Sequence, residues 1–159
     1  MSQYGITWRC GHETTVDITG TNAHGERERK AESLALLQCP ACRRAGEKAG
    51  QQQAAAEAAA GNAAAGLSEL TGSEKQVAWA ETIRRDAIAA VLRSVRRSGS
   101  GDLAPDVEAI VTRAAAREVT ARAWIDARHD PRAVIRDRMD DADRDAMAML
   151  QAIAEAGAQ

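Results

Sequence analysis

The chain has 159 residues and a mass of 16.9 kDa, with 45% hydrophobic and 28% charged residues. That is room for one domain or two small ones. Aromatics make up 3% and 36 residues are alanine, which excludes a thick core of large side chains and favours helices with shallow contacts. The net charge of −2 argues against a protein that coats nucleic acid by charge alone.

The charge is uneven along the chain. Residues 67–98 carry six basic and four acidic groups, whereas residues 99–159 carry eight and twelve. A nucleic-acid surface is therefore expected only in the first 98 residues. Arg outnumbers Lys 18 to 3. Arg and Ala share GC-rich codons, so this excess is not read as phosphate recognition. No apolar run reaches the roughly 18–20 residues of a membrane span and no secretory signal opens the chain, so a cytoplasmic protein is expected. The three cysteines, Cys10, Cys39 and Cys42, cannot all pair within one chain. A reducing compartment suits them, with thiols free or bound to metal.

In chain order, Gly5–Cys10 is β-prone and Thr14–Ile18 is β-branched and alternating. Together they predict a short hairpin with Cys10-Gly11-His12 at its tip. Residues 25–38 read as a helix, charged in front and apolar behind at Leu34, Leu36 and Leu37. Pro40 is expected to end it. Residues 1–46 cannot bury enough surface alone, because so small a unit usually needs a staple. Residues 47–66 are Ala-rich and predict a semi-rigid helical spacer, with Gly61 and Gly66 as interruptions. Ser73 to Gln76 is a capping box that opens a helix over about 73–97. Its stripe is Val77, Ala80, Ile83, Ala87, Ile88, Val91, Leu92 and Val95. Ser98–Gly101 reads as a flexible break. Further helices are expected over about 105–128 and 131–156, each with proline in its first turn. The last has a stripe through Met139, Ala146, Met149 and Ile153 near heptad spacing.

Four residues carry a recognisable chemistry. Cys39-x-x-Cys42 has the spacing of one metal knuckle, and Cys10-x-His12 supplies a second pair from the hairpin tip. Three thiolates and an imidazole make a closed tetrahedral set for Zn²⁺, structural rather than catalytic because no position is left open. In zinc-finger peptides such a site contributes on the order of 10–16 kcal/mol to folding, enough to staple residues 1–46. His24 is the competing fourth ligand, while His129 reads as a solvated helix-end residue. Cys39-x-x-Cys42 alone could be a redox pair, but that reading wants a preceding strand in a βαβ frame.

Trp8-Arg9-Cys10-Gly11-His12, Cys39-Pro40-Ala41-Cys42, the segment Leu70-Thr71-Gly72-Ser73-Glu74-Lys75-Gln76-Val77-Ala78-Trp79-Ala80, and Ile83-Arg84 form a pattern over residues 4–92. It resembles uncharacterised zinc-ribbon-like proteins of bacteria, many encoded near phage or plasmid genes. The resemblance implies a zinc-binding N-terminal module and no settled activity. The acidic C-terminal helices lie outside it.

Other features have plainer readings. Asp137, Asp140, Asp141, Asp143 and Asp145 could hold Mg²⁺ or mimic phosphates, but Arg136, Arg138 and Arg144 interleave with them. A solvated, salt-bridged face is expected. Arg84, Arg85, Arg93, Arg96 and Arg97 could meet nucleic acid, or simply complement a helix C-terminus. Trp79 and Trp124 read as packing anchors. There is no phosphate loop and no nucleophilic triad that can be placed.

The expected fold is mainly α with a small β-hairpin: a zinc-ribbon or treble-clef-like module over 1–46, a spacer over 47–66, and a helical hairpin or bundle over 67–157. The expected function is non-enzymatic, a zinc-stabilised protein that binds a protein partner. Homodimerisation is a further expectation. A phage or mobile-element factor, such as an inhibitor of a bacterial defence system, fits the size and acidity. The alternatives are a nucleic-acid-binding accessory factor and, behind it, a thiol oxidoreductase.

Overall fold

The computed structural model describes residues 2–97 and 101–157. The chain is mainly helical and opens with a two-stranded hairpin, as the patterning predicts. It divides into two compact units, Met1–Gln51 and Gln52–Gln159.

In the first unit, β1 (Ser2–Thr7) pairs antiparallel with β2 (Glu13–Ile18). The register sets Tyr4 opposite Val16 and Ile6 opposite Thr14. Alternation then places Ser2, Tyr4 and Ile6 on one face, and Ile6 is buried there. That face is covered by α1 (Glu26–Ala35), which contributes Ala31, Leu34 and Ala35 to a small core around Ile6, Trp8 and Cys39. Polar ties fix the helix to the strands. Tyr4 Oη donates to Glu28 at 2.9 Å, and Arg27 donates to Ser2 Oγ at 2.9 Å and to the Gly20 carbonyl.

Three expectations are corrected here. The first helix ends at Ala35, three residues short of Gln38, because Leu36 to Gln38 must turn to bring Cys39 toward the hairpin tip. Leu37 N–H closes on Leu34 O, and Leu37 O accepts from Arg9 N–H at 3.0 Å. Pro40 does not end a helix but begins one, α2 (Pro40–Ala64). A first-turn proline loses no hydrogen bond, since that N–H has no helical partner. Gly61 does not interrupt α2 either. The helix closes at Gly66, where φ is +76°, with Gly66 N–H on Ala63 O and Leu67 N–H on Asn62 O.

The end of α2 is more than a spacer, since Ala58 and Asn62 are buried in the second unit. Asn62 donates to Glu81 on α3 (Glu74–Arg97). The capping box forms: Ser73 N–H donates to Gln76 Oε1 at 3.0 Å and Gln76 N–H to Ser73 Oγ at 3.4 Å. The α3 stripe lies in the main core with Val107, Val111, Ala114, Ala121, Trp124 and Ile135. The flexible break expected at Ser98–Gly101 falls mostly outside the described residues.

Both later helices are broken. The segment expected as one helix over 105–128 is α4 (Ala104–Ala116) and α5 (Ala121–Asp126). Thr71 takes the place of a helical turn between them. Its N–H donates to Val119 O at 2.7 Å and its carbonyl accepts from Ala121 N–H at 3.0 Å. The segment expected over 131–156 is α6 (Pro131–Asp137) and α7 (Asp141–Gly157). Asp140 stops the helix and caps the next, accepting from Asp143 N–H at 2.8 Å.

Candidate metal centre

The hairpin tip is a tight loop. Trp8 N–H donates to His12 O at 2.9 Å, and Gly11 N–H to Trp8 O at 2.8 Å. Gly11 sits at φ +79°, a conformation that L side chains resist. This loop brings Cys10 and His12 together with Cys39 and Cys42, His12 remaining exposed. Trp8 is buried beneath it, its Nε1 donating to Thr14 Oγ1 at 2.7 Å. The other pair comes from the start of α2. Cys39 precedes Pro40, and its carbonyl accepts the first helical hydrogen bond from Arg43 N–H at 3.0 Å.

The four donor atoms of Cys10, His12, Cys39 and Cys42 lie within 4.8 Å of one another. His12 Nδ1 is 3.7 Å from Cys39 Sγ and 3.3 Å from Cys42 Sγ. A tetrahedron with metal–sulfur bonds of about 2.3 Å and a metal–nitrogen bond of about 2.0 Å has S···N edges of about 3.5 Å. The side chains therefore already stand near the spacing one central cation would impose. Two backbone amides point at the sulfurs: Cys39 N–H at Cys10 Sγ (3.4 Å) and Cys42 N–H at Cys39 Sγ (3.3 Å). Such donors favour thiolates, as does the start of a helix.

The thiols are driven apart in acidity. The Cys39 backbone N–H, followed by the backbone and ring of His12, brings Cys10 down to about 6. Hydrogen bonds with the Cys39 and Cys10 sulfurs push Cys42 up to about 11. Crowded sulfurs cannot all be anionic unless a cation sits among them. The donor set fits a divalent metal ion.

His24 lies away from this cluster, exposed in the loop before α1. His129 is exposed at the other end of the chain, as expected. The expected basic patch loses a member. Arg84 is 1% exposed, donating to Glu81 and to Ser68 O. Arg85, Arg93, Arg96 and Arg97 lie wholly or partly at the surface. Trp124 is fully buried as a packing anchor, but Trp79 is 52% exposed. The aspartate face is not uniformly solvated. Asp143 is buried and clamped by Arg113 and Arg117 of the α4 end.

Sequence reasoning missed the exposure of Leu36 and Leu37, which are 72% and 55% exposed beside the cluster. The signal lay in their position, immediately before Cys39-Pro40, where a helical period cannot be sustained. Comparison with known protein families, curated proteins and solved structures finds no match for this chain. No helix among the described residues is long and apolar enough to cross a membrane.

Proposed function

We propose that residues 1–51 form a zinc-stabilised module of treble-clef type, and that the protein acts by binding a protein partner rather than by catalysis. The observation that carries this is the donor set. Three sulfurs and one imidazole nitrogen lie within 4.8 Å of one another, which fills a tetrahedral zinc ion and leaves no position for substrate or water. A soft, sulfur-rich tetrahedral site favours zinc over harder divalent ions. Such a site supplies folding energy to a unit whose own core is small.

Elemental analysis and cobalt substitution test this reading. One zinc per chain is expected, lost in His12→Ala and retained in His24→Ala. The cobalt form should show the intense visible bands of a tetrahedral sulfur-rich site, unchanged by azide. A spectrum that shifts with azide would reveal an open position and turn the site toward catalysis. Absence of metal, with a reversible Cys39–Cys42 disulfide, would put thiol redox chemistry first.

The nucleic-acid reading keeps Arg85, Arg93, Arg96 and Arg97 on α3, since Arg84 is buried. It predicts DNA or RNA binding that falls steeply with salt and is lost in Arg96→Glu plus Arg97→Glu.

A further inference from the structure

We infer that the groove beside the metal centre, at the turn between α1 and α2, receives a short partner segment with apolar side chains flanked by carboxylates. This rests on the interaction reading above and names the chemistry of the partner. Leu34, Leu36, Leu37 and Pro40 form the apolar part of the groove, and Arg9 and Arg43 are its charged side chains. Its volume of about 430 Å³ lies in the range of small-ligand pockets and suits one short segment rather than a folded domain.

The exposure of the leucines is built into the backbone. Leu37 is held on one side by its N–H on Leu34 O and on the other by its carbonyl, which accepts from Arg9 N–H. Two residues on, Cys39 N–H is committed to Cys10 Sγ. The leucines cannot turn inward without dismantling the metal-binding loop. Two large apolar side chains fixed in water next to each other mark a contact site.

The charges select among occupants. No carboxylate lines the groove. Arg9 has no ion-pair partner among the described residues, and Arg43 reaches only Glu47, at 3.7 Å, with both groups well exposed. Two available guanidiniums beside leucines complement a segment with carboxylates next to its apolar residues. A second copy placing the same groove face to face would oppose arginine with arginine. A nucleic-acid strand would want an exposed aromatic face for its bases, yet Trp8, the aromatic in this wall, is buried.

The test is selection from a random peptide display library on the zinc-loaded full chain, followed by fluorescence anisotropy with the selected peptide. The expected consensus has two apolar residues bordered by Asp or Glu. Leu37→Glu should weaken binding at least tenfold, as should Arg9→Glu combined with Arg43→Glu. Zinc content and circular dichroism should stay unchanged, because these side chains are exposed. A basic consensus, or binding that survives both sets of substitutions, would overturn the groove and leave the wider interaction reading in place. An empty selection would remove the groove alone, since a partner recognised as a folded surface would not be sampled. Two other results would also overturn it: a dimer in sedimentation that Leu37→Glu dissolves, or Leu37-dependent binding to phosphatidylglycerol vesicles.

Discussion

At the scale of single residues, the candidate metal centre depends on a backbone conformation as much as on its four donor side chains. Gly11 stands between Cys10 and His12 at φ +79°, and a Cβ there would meet no atom within 4 Å. Substitution would therefore act through backbone strain alone. For an L residue in the left-handed region that strain is about 1–2 kcal/mol. Because the loop must take this shape to aim both ligands, Gly11→Ala should weaken zinc affinity about tenfold, since 1.4 kcal/mol is a factor of ten. Competition with a zinc chelator measures it, and Gly11→Asn should recover part of the loss because Asn tolerates this conformation better. An unchanged affinity would mean that the loop reaches its ligating shape by another backbone route. Cys39 shows the same dependence from the other side. Its own N–H serves Cys10 while its sulfur accepts from Cys42 N–H, so the ligands are partly solvated by each other's backbone.

At the scale of elements, the junction of α2 and α3 turns on a buried ion pair. Arg84 and Glu81 have side chains 1% and 7% exposed, 2.7 Å apart, and Asn62 donates to the same carboxylate. Arg84 Nε is buried without a partner. Removing one member of such a pair strands a charge, at a cost of about 3–5 kcal/mol. Glu81→Ala should lose about that much in chemical denaturation, whereas Glu81→Leu with Arg84→Met should lose far less, because no charge is left unpaired. Equal losses in both would show that shape, not charge, holds the junction. This pair also marks where sequence reading stopped. The apolar stripe of α3 and its capping box were legible because periodicity and Ser73–Gln76 chemistry are local. Arg84 lies one position beyond Ile83 of that stripe, and a charge there reads as surface until Ser68 O and Glu81 are known to meet it. The two broken helices have different causes. What stops the first is distant, since Thr71 pairs with Val119 and Ala121, whereas the second break carries a local signal in the Asp140 cap, to which Arg117 adds a distant contact by donating to Arg138 O at 3.0 Å. The Cys10, His12, Cys39 and Cys42 set was legible in full as a grouping, because few residue types share that chemistry and their spacing is local within each pair.

At the scale of the whole molecule, the two units rest on different physics, and perturbations should separate them. The second unit carries ion pairs whose carboxylates are buried, Asp143 with Arg113 and Arg117, and Glu118 with Arg138. Burial alone would raise both acids. Hydrogen bonds from Arg117 and Arg113 outweigh it for Asp143, and those from Arg138 and Thr120 outweigh it for Glu118, so both titrate below their ordinary values. A carboxylate with a depressed folded pKa contributes stability that is present above its unfolded value and lost as pH falls through the folded one. Thermal stability of this unit, followed by Trp124 burial, should stay level from neutrality to about pH 5 and then drop. In Asp143→Asn the level should start lower and the acid drop shrink. Chelation should strike the other unit. Among the described residues the core around Trp124 draws on Leu67 onward, whereas the small core of Ile6, Trp8 and Cys39 includes the three cysteines of the candidate metal site. On the zinc reading proposed above, removing the metal takes away on the order of 10–16 kcal/mol, and that small core is expected not to outweigh its ordering entropy. Hydrogen exchange on the full chain should therefore lose protection across β1, β2 and α1 on chelation, while α3 through α6 keep theirs. Loss of protection in α4 or α5 as well would mean that zinc stabilises the whole chain as one cooperative unit. Retained protection in β1 and β2 would mean that hairpin and helix hold without metal, and the staple argument would fail.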